Sequence, residues 1–113
     1  MNSRGKAACT RVEHKVLKVL RDAGWWCFRT PASLGVCDIV ALRAGYTPRF
    51  IEVKSTTRSA FAGFPPTDRR ELIDAAEKAG AIAQLAYWPP RKALQMIPHY
   101  EWPGVTDELA DAA

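Results

Sequence analysis

Two carboxylates and one amine lie close together in a short part of the chain, at Asp38, Glu52 and Lys54. Thirteen residues separate the two acids, and Lys54 follows Glu52 by two positions. Side chains alternate along a β-strand, so Glu52 and Lys54 share one face if "FIEVKST" is extended. An acid inside the apolar stretch "VCDIV" is unfavourable for stability, because an unpaired buried charge costs several kcal/mol or shifts its pKa. This combination predicts a functional site.

The acidic pair predicts a divalent metal ion. If the strands that carry them are neighbours, Asp38 faces Glu52, and two close carboxylates repel each other unless a cation lies between them. Mg²⁺ takes oxygen ligands and keeps several waters, and Mn²⁺ is expected to substitute; no small-molecule cofactor is expected. Lys54 could orient an attacking water or, as a neutral amine, deprotonate it, and its ammonium form could offset charge on a phosphoryl transition state. The alternative is a surface salt bridge worth about 0 to 1 kcal/mol, which leaves Asp38 unexplained.

The elements that would position these residues form an α/β pattern. A helix is expected over residues 8–23, with Glu13 at the edge of an apolar stripe formed by Val12, Val16, Val19, Leu20 and Ala23. A second helix is expected from Thr67 or Asp68, one of which would cap it. Expected strands are "GWWCFRT", "VCDIVALRA" and "RFIEVKST", then "AIAQLAYW" as a central strand and "ALQMIP" as an edge strand. The order is αβββαβ, a mixed sheet flanked by helices.

Length and charge limit the possible functions. The 113 residues predict one domain over residues 1–100, followed by a short acidic tail over 101–113. Residues 1–100 hold all sixteen Lys and Arg and eight of the twelve acids, a formal charge of +8 that favours nucleic acid as a partner. No apolar run is long enough for a membrane helix or a signal peptide, so a cytoplasmic protein is expected, or one of the host cytoplasm if the source is viral. Three cysteines without C-x-x-C spacing predict reduced thiols.

The pattern Asp38, then Glu52-x-Lys54, resembles the signature of PD-(D/E)xK nucleases. Within that superfamily the chain resembles the archaeal-type Holliday junction resolvases, which also occur in phages. The resemblance covers roughly residues 4–98. The matching segments are "RGK", "RVEHKVLKVLRDAGW", "FRTPASLGVCDIVAL", "FIEVKST" and "AGAIAQLAYW".

The resemblance implies a restriction-endonuclease-like core and a homodimer that makes paired symmetric nicks in branched DNA, a four-way junction. Cleavage would leave 5′-phosphate and 3′-hydroxyl ends. Glu13, Asp38, Glu52 and Lys54 would be the catalytic set. Asp38, Glu52 and the backbone carbonyl of Val53 would bind the metal, with Glu13 as a further ligand, directly or through water.

A catalytic serine is also implied, but its position departs from the family pattern. Ser33 precedes Asp38 by one residue more than the pattern requires. Either a small insertion lies in "SLGVCD", or Ser33 does not play that role.

Candidate DNA contacts lie on both sides of this site. Basic side chains would meet phosphates, unless they form an ordinary solvated face. Two Phe in the loop 56–66 would stack or wedge at the junction, unless they fold back onto the core. A further basic pair, Arg91 and Lys92, follows the Pro pair at 89–90. The predicted contacts are Arg4, Lys6, Arg11, Arg29, Arg58, Phe61 and Phe64.

Two other functions fit the same residues. One is a nuclease with this site that acts on other branched or duplex DNA in repair or restriction. The other is a DNA-binding module with a vestigial site, against which the intact Asp38, Glu52 and Lys54 argue.

Overall fold

The computed structural model describes residues 3–31 and 37–105, with side chains of the first helix from Thr10 onward. The expected αβββαβ order is confirmed, and the edge strand predicted in "ALQMIP" follows as a fifth strand. Neither helix in the described ranges is long and apolar enough to cross a membrane. The elements are α1 (Ser3–Asp22), β1 (Trp26–Arg29), β2 (Ile39–Leu42), β3 (Arg49–Lys54), α2 (Pro66–Ala79), β4 (Ile82–Tyr87), β5 (Gln95–Pro98) and a 3-10 helix (His99–Glu101).

The five strands form one mixed sheet in the spatial order β1-β2-β3-β4-β5. Strands β1, β2 and β3 pair antiparallel, as short connections between them allow. The crossover through α2 makes β4 parallel to β3, and β5 returns antiparallel at the far edge. The carboxyl ends of β3 and β4 therefore lie side by side, which is where open α/β sheets commonly place their sites.

Helix α1 covers one face of the sheet. Its buried residues Val16, Leu17 and Leu20 pack with Ile39 and Ile51 of the central strands. The predicted stripe is confirmed at Val16 and Leu20, whereas Val19 is 41% exposed, because Leu17 occupies the inner face in its place. The prediction is also wrong for Ala23, which is exposed because the helix ends at Asp22. This packing fixes the turn of α1 that carries Glu13 against the sheet.

Helix α2 covers the other face, over β3 and β4. Leu72 and Leu85 lie in this second core, together with Phe64, Trp102 and Val105. Trp102 and Val105 are each only 1% exposed, so the packed part of the chain extends beyond the predicted boundary at residue 100. Burial of these two apolar side chains stabilises the segment that follows residue 100, and the division into a domain and a tail stays a prediction.

The outer half of the α2 face, over β1 and β2, carries exposed apolar side chains. Trp26 is 67% exposed, Phe28 38% and Leu42 36%. Trp26 lies opposite Leu42 in the sheet register, and its ring meets that of Phe28 edge-on with centroids 5.4 Å apart. We call these three side chains the β1–β2 patch.

Candidate active site

The two candidate carboxylates lie where β2 and β3 meet. Ile39 pairs with Ile51 in the antiparallel register, so the next position along each strand is Asp38 and Glu52. Strand β2 begins at Ile39, so Asp38 immediately precedes the strand and the prediction of a mid-strand position is corrected. Its backbone nevertheless stays attached to the sheet, because the Asp38 amide donates to the Ile51 carbonyl at 2.9 Å.

The Asp38 side chain replaces part of the regular ladder. Its Oδ2 accepts a hydrogen bond from the backbone amide of Val53 at 2.8 Å. On the other flank, the Asp38 carbonyl accepts from the Thr30 amide at 2.9 Å, which ties the residue to the end of β1. Asp38 is therefore held by two neighbouring strands, β3 and the end of β1, and one of its two carboxylate oxygens is oriented by β3.

Glu52 and Lys54 lie on one face of β3, as strand alternation predicts. Lys54 Nζ is 3.3 Å from Glu52 Oε2, and the two side chains are 27% and 17% exposed. Burial, and to a lesser extent the neighbouring Asp38, raise the pKa of Glu52 to about 7 against the lowering effect of Lys54. Glu52 is thus a carboxylate whose ionised form lacks sufficient solvation.

The pKa of Asp38 is raised as well, for a similar reason. Its pKa is raised mainly by burial and also by Glu13, while the Val53 amide, Lys54 and Arg29 lower it. Asp38 in turn raises the pKa of Glu52, so the two carboxylates interact across the site. The strands bring together two partly buried anions with one lysine beside them.

Glu13 approaches this pair from α1. Its Oε1 accepts a hydrogen bond from Arg29 Nε at 2.7 Å, and its side chain is only 13% exposed. Arg29 Nη2 also lies 3.5 Å from Thr10 Oγ1, one turn earlier on the helix. Arg29, predicted as a DNA contact, thus links β1 to α1 and holds Glu13 near Asp38.

The donor set suits a hard divalent cation. Two close carboxylates with raised pKa values are stabilised by a cation, and oxygen donors are those that Mg²⁺ and Mn²⁺ accept. Within residues 3–31 and 37–105, no group of three or more His, Cys, Asp or Glu is arranged to hold a metal. Asp38 and Glu52 would therefore need the Val53 carbonyl and water to complete the shell, which is usual for Mg²⁺.

The two loop phenylalanines do not share one environment. Phe64 is 2% exposed and its ring meets Trp102 edge-on at 5.1 Å. The prediction that Phe64 stacks on DNA is therefore wrong, and the alternative of folding onto the core is what occurs. Phe61 is half-buried against the same core, with the Arg69 guanidinium 4.8 Å above its ring.

The other basic residues predicted to contact DNA fall into two groups: exposed side chains, and residues whose side chains the structure does not describe. Arg11 and Arg58 are exposed and available to a partner. Arg4 and Lys6 lie on the first turns of α1, where the structure does not describe side chains, and Ser33 lies outside the described residues. No contact of these last three follows from the structure.

Sequence reasoning missed Asp68 as a neighbour of the site. Helix α2 begins at Pro66, and its N-cap residue is Pro65, whose side chain has no hydrogen-bond acceptor, so the helix has no side-chain cap. The capping roles predicted for Thr67 and Asp68 are therefore wrong. Asp68 instead contributes to the raised pKa of Glu52. No local pattern indicates this contact, since it depends on how α2 crosses the sheet.

The family model described as archaeal Holliday junction resolvase (Hjc) matches residues 2–102. The chain belongs to this family. It is thus a Holliday junction resolvase, a DNA-binding nuclease of recombination and repair, and the functional prediction is confirmed at this level.

A solved structure supports the assignment. The resolvase is similar to Hjc of Archaeoglobus fulgidus, a Holliday junction resolvase from an archaeal hyperthermophile, with 31% sequence identity and a TM-score of 0.65. The match covers 81% of this chain and 73% of that chain. The expected nuclease fold is confirmed by this likeness. No curated protein sequence matches the chain.

Proposed function

We propose that the resolvase is a Mg²⁺-dependent homodimer that cuts a four-way DNA junction by paired symmetric nicks. In each nick, the oxygen of a water bonds to phosphorus and the bond from phosphorus to the 3′-oxygen breaks. That oxygen leaves as a 3′-hydroxyl after taking up a proton, and the other fragment keeps a 5′-phosphate.

One observation carries the proposal. Asp38 and Glu52, both partly buried, interact as anions, and the Lys54 ammonium lies 3.3 Å from Glu52. Such an arrangement is unfavourable for folding, since buried like charges cost stability unless they have a partner. Perturbed carboxylates at the end of a sheet are typical of functional sites. Family membership supplies the class of substrate.

Asp38, Glu52 and the Val53 carbonyl would hold the metal. When bound, such an ion supplies positive charge that polarises the scissile phosphate and makes water more acidic. The Val53 amide fixes the Asp38 carboxylate through the 2.8 Å hydrogen bond, so that residue needs little reorganisation. Mn²⁺ is expected to substitute, because it accepts the same oxygen donors.

Lys54 and Glu13 act on the reacting groups from two sides. The Lys54 ammonium can stabilise negative charge that develops on the phosphate oxygens and orient the attacking water. Glu13, held by Arg29 at 2.7 Å, lies close enough to Asp38 to raise its pKa. From there Glu13 can receive a hydrogen bond from the attacking water.

The homodimer needs a surface, and we assign it to the β1–β2 patch. Exposed apolar clusters on a small domain commonly mark interaction sites. Two-fold interfaces are self-complementary, which an uncharged patch of Trp26, Phe28 and Leu42 permits. Helix α2 offers no comparable surface at Leu72 and Ala76, because both side chains are buried within the protomer.

A cleavage assay on a synthetic four-way junction tests the proposal. Wild-type protein with Mg²⁺ should nick two opposite strands, whereas Asp38→Asn should bind the junction but leave it intact. Cleavage by Asp38→Asn at the wild-type rate would contradict the proposed site. Sedimentation of Trp26→Asp should show a monomer if the patch is the dimer surface, and an unchanged dimer would refute that assignment.

A further inference from the structure

The connection between β4 and β5 contains a residue in an uncommon backbone conformation. Arg91 has a φ of +61°, the single positive value found at a non-glycine residue among the described ranges. L-residues disfavour this left-handed region, and such positions concentrate at functional sites and in tight turns. Arg91 and Lys92, the basic pair noted in the sequence, are both exposed here.

Hydrogen bonds hold this turn in place. Trp88 Nε1 donates to the Lys92 carbonyl at 2.9 Å, and the Lys92 amide donates to the Pro89 carbonyl at 3.2 Å. Lys15 of α1 stacks over the Trp88 ring, with its Nζ 4.2 Å from the ring centroid. The two cations are therefore presented by a turn with a fixed shape.

The turn is attached directly to the candidate active site. The Trp88 amide donates to the Lys54 carbonyl at 2.8 Å. One residue earlier, Tyr87 pairs with Lys54 in the parallel register, and its hydroxyl donates to the Thr56 carbonyl at 2.8 Å. The turn and the loop after β3 thus leave the sheet side by side at the carboxyl ends of two parallel strands.

A groove of about 350 Å³ lies between these two segments. Polar groups on both walls face it, and Lys92 contributes a positive charge. Its lining residues are Thr57, Tyr87, Pro89, Pro90, Lys92, Ala93 and Gln95.

The two chain segments that border the groove carry only positive charges. Residues 53–67 contain Lys54 and Arg58 and no acid, and residues 86–100 contain Arg91 and Lys92 and no acid. In contrast, α2 alone contributes four of the acids of the chain. Lys92 is the charged residue in the lining of the groove, and Lys54 pairs in the sheet with Tyr87, another lining residue. A groove next to these cations favours a polyanion.

We infer that this groove binds the phosphate backbone of the DNA strand next to the scissile phosphate, with Arg91 and Lys92 as phosphate contacts. The inference rests on the proposed nuclease function and adds a strand-positioning surface to it. Contacts of this kind fix the register of the strand and carry no base preference. Arg91 is exposed on a turn that the hydrogen bonds of Trp88 and Pro89 hold in place.

Binding measured without metal tests the inference separately from cleavage. In EDTA, so that no strand is cut, the affinity for a four-way junction is titrated over a range of salt concentrations. Arg91→Gly removes the cation and leaves a residue that adopts a positive φ readily, so the turn should persist. Lys92→Gln removes the second cation and keeps the carbonyl that Trp88 contacts. Lys78→Gln is the matched control, because Lys78 is exposed in the last turn of α2, which leads to the opposite end of β4.

Arg91→Gly and Lys92→Gln should each weaken binding several-fold and lower the slope of log K against log salt by about one, as loss of one phosphate contact requires. A loss confined to one of them identifies that residue as the contact. The inference is overturned if both variants bind the junction with wild-type affinity, or if Lys78→Gln loses as much affinity as they do. Circular dichroism and thermal unfolding of each variant verify that the fold is intact. Failure of the wild-type protein to cut the junction in Mg²⁺ would instead contradict the proposed function. It would not change the result of the binding experiment, which is measured without metal.

Discussion

The carboxylate of Asp38 accepts a hydrogen bond from the backbone amide of Val53, 2.8 Å away on the neighbouring strand. In a regular antiparallel ladder a strand amide donates to a backbone carbonyl. Here a side chain takes that place at the end of β2, so the ladder ends where the site begins. One hydrogen bond both satisfies the strand and orients a candidate metal ligand beside Glu52.

Glu52→Gln should stabilise the metal-free protein at neutral and alkaline pH. Burial raises the pKa of Glu52 in the folded state to about 7, above its ordinary value of 4.5. Below pH 4.5 both states hold the proton, and from there to about pH 7 the unfolded state loses it first, so stability falls as pH rises. We expect Glu52→Gln to raise the free energy of unfolding at pH 8 by on the order of 2 kcal/mol.

Urea denaturation in EDTA at pH 8 and at pH 4 measures this effect. The gain should be present at pH 8 and small at pH 4, where Glu52 is protonated in both states. Equal stability of the two proteins at pH 8 would show that the carboxylate is solvated. Lys78→Gln serves as the control for removal of a charge from the surface.

Lys54→Met should abolish most cleavage without preventing junction binding. The Lys54 ammonium lies 3.3 Å from Glu52 Oε2, and in the proposed mechanism it stabilises charge that develops in the transition state. Loss of one such group typically costs about 10²- to 10³-fold in rate. Single-turnover cleavage at saturating protein gives the rate, and a gel shift gives the affinity. A rate within threefold of wild type would remove Lys54 from the mechanism.

Glu13 and Arg29 should behave as a coupled pair in cleavage. Arg29 Nε holds Glu13 Oε1 at 2.7 Å, and Arg29 is the more exposed partner at 39%. We expect Glu13→Gln and Arg29→Gln each to slow cleavage at least about 10-fold, and the double variant to be slower by less than the product of both effects. Stability should change by no more than about 1 kcal/mol, since the pair is partly solvated. Fully multiplicative rate effects would show that the pair does not act as a unit.

Phe64→Ala should lower stability and leave junction binding intact. Phe64 is buried against Trp102, and truncation of a buried Phe typically costs about 3 to 5 kcal/mol. Tyr100→Ala is the comparison, because Tyr100 is 68% exposed and its truncation should cost much less. Urea denaturation measures both variants. A stable Phe64→Ala protein with weakened DNA binding would restore the stacking role that burial excludes.

The sequence by itself determined the element order and the identity of the charged set. Period-two patterning at 50–54 places Glu52 and Lys54 on one face, and helical periodicity places Glu13 beside Val16 and Leu20. These patterns are local, because each depends on neighbours within one turn or one strand. The basic body and the resemblance to junction resolvases supplied the class of partner.

Only the tertiary structure decided which groups meet. The packing of three separate segments decides where β2 begins, at Ile39, and forms the Asp38–Val53 hydrogen bond and the Glu13–Arg29 pair. The position of Phe64 also depends on tertiary packing: the sequence predicted a DNA contact, whereas in the fold Phe64 is buried against Trp102. Contacts between residues distant in the chain follow from the shape of the whole core, which no short-range pattern encodes.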